Sequence, residues 1–169
     1  MGEADPQEEW SESNVRRFIG IDPGSTGSIA MISENGDIEL YPLEKDTLLT
    51  MCQAWCMDDC FCVLEHVTSS PQMGVTSSFT FAEGFGFVQG VLAAFFIPMQ
   101  LVKPQVWKKH FGCIMGKDAS TKDKKMKDYD VAHRLFPKVD FRRTERCKTI
   151  WFDAVDALLL AEYGRRMHK

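Results

Sequence analysis

Phe18-Ile19-Gly20-Ile21-Asp22-Pro23-Gly24 is a short apolar strand that ends on a carboxylate. A second such stretch is Phe61-Cys62-Val63-Leu64-Glu65-His66-Val67, again apolar and again carrying an acid near its end. Near the C-terminus, Asp153-Ala154-Val155-Asp156-Ala157-Leu158-Leu159-Leu160 opens an apolar helical run with two acids three residues apart. Carboxylates are rarely buried unless they are paired or hold a metal. Four in such settings predict one acidic cluster that takes hard cations through oxygen ligands. Two such ions about 4 Å apart can clamp the attacking and leaving oxygens of a phosphodiester displacement.

Each acid has a plainer reading. Asp22 before Pro23-Gly24 could cap its own turn. Asp153 and Asp156 could complement the dipole at a helix N-terminus. Adjacent strands would bring Asp22 and Glu65 together, and the apolar run after Asp156 would pin that helix face to the sheet. Both points favour a site.

Working outward, Phe18–Ile21, Gly27–Ile32 and Ile38–Leu43 read as three antiparallel strands, the last two joined at Asn35-Gly36, a strong hairpin signal. Asp46 or Thr47 starts a helix through about Met57. Cys60–Val67 is nearly all apolar, which predicts an interior strand. After a loop at Ser69–Gly74, Ser77 or Ser78 opens a helix through Phe96. Its Gly84, Gly86 and Gly90 cost helix propensity and make sense where another backbone or a nucleic acid comes close. Pro98–Val102 is a fifth strand, followed by a short helix around Trp107, a loop over 113–122, a lysine-rich helix over 122–136, and a last helix from Ile150 to Tyr163 with Gly164 as its C-cap. His66 follows Glu65 directly and so points to the opposite face of its strand, which makes it a poor ligand.

The chain of 169 residues suits one domain, residues 16–169, behind a flexible acidic tail over 1–15. The net charge of -4 conceals an asymmetry. Residues 1–102 carry 3 basic against 15 acidic side chains, and residues 103–148 carry 14 against 6. Such a basic segment is a nucleic-acid signal. Lys103, Lys108, Lys109, Lys117, Lys122, Lys124, Lys125 and Lys127 form its arm, suited to phosphate contact without sequence reading. Phe79 and Phe81 are candidates to stack on an unpaired base. The six cysteines lack zinc-type C-x-x-C spacing and read as reduced thiols, so a reducing compartment is expected. No apolar run reaches the ~18 residues of a membrane span, and the acidic start lacks a signal-peptide core.

In this order, Ile19-Gly20-Ile21-Asp22-Pro23-Gly24, Leu64-Glu65 and Asp153-x-x-Asp156-Ala157-Leu158 resemble the RuvC-type Holliday junction resolvases of the RNase H-like superfamily. Gly84-Phe85-Gly86-Phe87-Val88-Gln89-Gly90 and Lys103-Pro104-Gln105-Val106-Trp107-Lys108-Lys109 look most like the phage, bacterial and plastid (monokaryotic chloroplast) branch. The resemblance implies an α/β, RNase H-like five-stranded mixed sheet flanked by helices. It implies a homodimer that nicks opposed strands of a four-way DNA junction, with two Mg²⁺ or Mn²⁺ ions per site held by Asp22, Glu65, Asp153 and Asp156. Many relatives carry His, or an Asp-Gly-Arg-Ala-Glu run, where this chain has Trp151-Phe152-Asp153-Ala154-Val155-Asp156, so the ligands at that corner can differ.

Three other readings stand beside this one. A junction-binding architectural protein would carry a degenerate site. A ribonuclease of the same fold would cut RNA–DNA hybrids. Asp22-Pro23-Gly24-Ser25-Thr26-Gly27-Ser28 also resembles the first phosphate loop of actin-like and sugar-kinase ATPases, but those need two such domains and this chain has room for one. The expected setting is a plastid, a mitochondrion, or bacterial or phage-infected cytoplasm.

Overall fold

The computed structural model describes residues 15–24, 26–67 and 74–168; the acidic tail over 1–15 lies almost entirely outside them, and so does most of the 69–74 loop. Five strands form one mixed sheet in the order β3-β2-β1-β4-β5. β1 (Arg17–Asp22), β2 (Ser28–Ser33) and β3 (Ile38–Pro42) are the antiparallel meander that the Asn35-Gly36 turn predicts. β4 (Cys60–Glu65) and β5 (Met99–Val102) run parallel to β1. Five of the six β4 residues are buried, as an interior strand covered on both faces requires.

Helices cover both faces. α1 (Lys45–Trp55) and α2 (Val75–Ala94) pack on one, over Ile19, Ile21, Cys62 and Leu64. On the other lie α3 (Pro104–His110), α4 (Thr121–Leu135) and α5 (Phe152–Met167), over Ala30, Ile32 and Val63. Pro104 stands at the first position of α3, where its missing N–H costs nothing. The Ser120 hydroxyl caps α4 by accepting from the Asp123 amide at 3.1 Å. Among the described residues, no helix is long and apolar enough to cross a membrane.

α5 is the principal helix of the core. Ten of its sixteen residues, from Ala154 to Gly164, are buried. It lies so close to β1 that a Cβ on Gly20 would stand 2.0 Å from the Ala157 carbonyl oxygen and 2.4 Å from the Ala161 nitrogen. Only glycine fits there. Gly164 corrects the sequence expectation. It does not end α5, which continues to Met167 with His168 as C-cap. It faces β4 instead, where a Cβ would meet Val63 Cγ2 at 2.9 Å. Among the described residues, nothing lies within 4 Å of a would-be Cβ on the three glycines of α2, so no described backbone of this chain approaches them.

Gly20→Ala drives a methyl group into helix backbone that cannot yield locally, and a loss of about 1–3 kcal/mol or more is expected from overpacking of this kind. Gly164→Ala meets a side chain that can rotate and gains about 1 kcal/mol of helix propensity, so its loss is much smaller. Urea denaturation of the two variants checks the order. A Gly20→Ala protein as stable as wild type would contradict the close contact.

Candidate active site

Asp22 is the last residue of β1 and Glu65 the last of β4. Ile21 pairs with Leu64 in the parallel register, so the next step along both strands sets the two acids side by side at one end of the sheet. Both are 8% exposed. Asp153 and Asp156 stand on the first turns of α5, which the Gly20 contact presses onto the same end. The four carboxylates named from the sequence thus converge.

The cluster is electrostatically tense. Burial raises the Asp22 carboxyl to about 6, with Asp153 adding to the rise, against the Gly24 amide, which donates to Oδ1 at 3.1 Å, and the charges of Lys125 and Lys108. Burial raises Glu65 to about 7, helped by the charge of Asp22 and opposed by the Trp107 indole and Lys108. Asp156 is pushed well above the usual range by burial; Lys108 opposes this, while Asp128, Asp22 and Glu65 add to it. Asp153 is tied differently. Its Oδ2 accepts from Thr26 Oγ1 at 2.6 Å, and its Oδ1 lies 3.9 Å from Lys125 Nζ.

Three further residues interact with these acids: Trp107 and Lys108, from the Lys103–Lys109 stretch, and Asp128, which lies in no motif. Trp107 is fully buried, and its Nε1 donates to Glu65 Oε1 at 2.9 Å, which fixes that side chain. Lys108 is turned inward, its Nζ 2.5 Å from Asp128 Oδ2. Burial lowers its pKa, but the charges of Asp156, Asp128 and Glu65 outweigh burial and raise it overall. Asp128, on α4, is 1% exposed, and its Oδ1 has no hydrogen-bond partner.

The other basic candidates surround the cluster. Lys125 holds Asp153 and lies over the Phe152 ring. Lys109, Lys117, Lys122 and Lys127 are exposed, Lys124 is half-buried, and exposed Lys103 caps the start of α3 beside a cavity of about 470 Å³ that His66 also lines. His66 lies just past β4 with its ring 6.3 Å from Phe85, away from the acids in role as expected. Phe79 is 72% exposed. Phe81 stacks in parallel on Phe85, at 6.3 Å between centroids. Phe81 and Phe87 also line a groove of about 640 Å³ that runs between α1 and α2 to Pro23 and Gly24, beside Asp22.

Sheet order, helix placement and the acidic end define an α/β domain of the RNase H-like, RuvC-like fold. The chain is similar to RuvC of Thermus thermophilus, with a TM-score of 0.57 at 13% identity over 89% of this chain and 96% of that one. Its similarity to T. thermophilus RuvC in complex with a Holliday junction substrate gives a TM-score of 0.58 at 12% identity, over 90% and 96%. No protein-family model and no curated protein sequence matches the chain.

The chemistry of the donors suits a hard divalent cation, although among the described residues no three His, Cys, Asp or Glu side chains stand close enough to hold one as they are. The donors are all oxygen, Asp22 and Glu65 are buried and Asp153 and Asp156 half-buried, and the repulsion among them is only partly offset by Lys108 and Lys125. A stability prediction follows for the metal-free protein. Asp22 and Glu65 have folded-state pKa values of about 6 and 7 against ordinary values of 3.8 and 4.5. Their contribution is therefore fully present below about pH 4 and is lost as pH rises through 6 and 7. The loss is on the order of 3 kcal/mol for each group if independent. Denaturation in EDTA across this range, wild type against Asp22→Asn, isolates the Asp22 share. The variant is expected to lose less stability on raising the pH, and equal slopes would contradict the assignment.

Proposed function

We propose that this protein is a Holliday junction resolvase, a structure-selective endonuclease that nicks opposed strands of four-way junctions using two Mg²⁺ or Mn²⁺ ions per site. The observation that carries this reading is the convergence of Asp22, Glu65, Asp153 and Asp156 at one end of a RuvC-like sheet, beside a lysine-rich helix. Junction DNA as the substrate is supported by the junction-bound state of a structural neighbour. The motifs Gly84–Gly90 and Lys103–Lys109 support the phage, bacterial and plastid branch.

In this reading Asp22, Glu65 and Asp156 hold the cations, and Asp153 joins them from its seat on Thr26 and Lys125. The ions would supply a nucleophilic water and neutralise charge on the scissile phosphate. Trp107 keeps Glu65 oriented. Lys103, Lys109, Lys117, Lys122, Lys124 and Lys125 contact phosphates around the crossover, and Phe79 with Phe81 stacks on an unpaired base. A reducing compartment, expected from the cysteine spacing, is part of this reading.

A homodimer is part of the proposal. α2 carries apolar residues all round, but only Val88, Val91 and Leu92 of its twenty residues are buried in this chain. Gly84, Gly86 and Gly90 leave room along it for a second backbone. Two-fold pairing would also match the pseudo-symmetry of a junction. Sedimentation at micromolar concentration is expected to show a dimer; monomer alone, with and without junction DNA, would contradict it.

A substrate panel tests the activity. With Mn²⁺ or Mg²⁺, the protein is expected to place symmetric nicks in a labelled four-way junction and to leave linear duplex and RNA–DNA hybrid largely intact. Asp22→Asn removes several kcal/mol of charge stabilisation, so nicking falls by about 10³-fold or more while junction binding persists. Preferential cleavage of the hybrid would replace this reading with a ribonuclease, and tight binding without any cleavage with an architectural protein.

A further inference from the structure

Beside the acidic cluster lie a fifth carboxylate, Asp128, and an inward-turned cation, Lys108. Asp128 belongs to the buried stripe of α4, with Val131 and Ala132 three and four residues on. An apolar side chain would satisfy that stripe. The aspartate instead brings a charge into the interior, which is unfavourable unless it is paired. One of its oxygens binds Lys108 Nζ at 2.5 Å, and the other, Oδ1, is buried without a hydrogen bond. The Cys113 thiol lies beside it and supplies no charge.

Lys108 has acids on its other side as well. Its ammonium interacts with Asp156 and Glu65, and Asp22 feels it too. It is supported on the Trp107 ring, 4.7 Å from the centroid, and Trp107 in turn holds Glu65. One cation is thus shared between the proposed metal ligands and a fifth carboxylate on another helix. Lys108 is half-buried, whereas Lys122, Lys125 and Lys127 of α4 are exposed.

We propose that Lys108 is a built-in counter-cation of the acidic cluster and that Asp128 is the positioning residue that anchors it there, so that the pair sets how strongly the cluster binds a divalent ion. The inference rests on the metal-site reading above and deepens it. Lys108 relieves the mutual repulsion of the carboxylates in the metal-free protein, and its positive charge competes with an incoming ion. Asp128 acts in the opposite sense, because its negative charge offsets that of Lys108. The two substitutions must therefore move metal affinity in opposite directions, which a purely structural pair would not do.

Calorimetric titration of Mn²⁺ into metal-free wild type, Lys108→Met, Asp128→Asn and the double variant tests this. Lys108→Met is expected to bind Mn²⁺ about tenfold more tightly, and Asp128→Asn about tenfold more weakly, at the Coulomb energies of partly buried charges. The double variant returns toward the wild-type affinity. Without metal, Lys108→Met melts below wild type, and saturating Mn²⁺ narrows the gap. If Lys108→Met does not fold, Asp128→Asn, which keeps the size of the side chain, carries the test by its weakened binding. Wild type that binds Mn²⁺, with both single variants unchanged or both weakened, overturns the counter-cation proposal alone. Wild type that binds no Mn²⁺ overturns the metal reading and this proposal with it.

Discussion

The contact of α5 with the backbone of β1 is the constraint on which the rest depends. With no side chain on Gly20, the Ala157–Ala161 turn of the helix lies directly on the strand. A second close point, Gly164 against Val63, keeps the far end of the helix down on β4. These two points fix the height and direction of α5. They thereby place Asp153 and Asp156, at its N-terminal end, over the ends of the strands that carry Asp22 and Glu65. The apolar run Ala157–Ala161 is completely buried and supplies the driving force for this docking. Core packing and site assembly are one event here.

That assembly opposes stability. Burial raises Asp22, Glu65 and Asp156, each further raised by a neighbouring acid. The fold offsets part of this with fixed donors and cations. Gly24 donates to Asp22, Trp107 to Glu65 and Thr26 to Asp153, while Lys108 and Lys125 bring positive charge. The remaining imbalance is what a divalent ion would neutralise. A cluster optimised for the stability of the metal-free chain would not crowd its carboxylates in this way, and strain of this kind gathers at functional sites.

Much of this was legible in the sequence, for local reasons. Strand and helix periods, the Asn35-Gly36 turn and the position of each acid at the end of an apolar run are short-range signals. They yielded the strand pairing and the four converging acids. The less legible parts depend on long-range contact. Trp107 meets Glu65 across 42 positions, and Lys108 meets Asp128 across 20. Asp128 did leave a trace: it stands three and four residues before Val131 and Ala132, inside the apolar stripe of an otherwise charged helix. A glycine near a helix end usually terminates it, which is what the sequence predicts for Gly164, whereas here packing against Val63 demands its missing Cβ and the helix continues to Met167. The glycines of α2 predict close approach by another backbone or a nucleic acid, and among the described residues of this chain nothing lies within 4 Å of a would-be Cβ there.

The central claim is that the carboxylates gathered under α5 are a divalent-metal site. Anomalous diffraction from crystals of the protein grown with Mn²⁺ and junction DNA tests it most directly. The account predicts manganese peaks among Asp22, Glu65 and Asp156, with Asp153 at their edge and Lys108 beside Asp128. Manganese elsewhere on the protein, with these four side chains unligated, would contradict it.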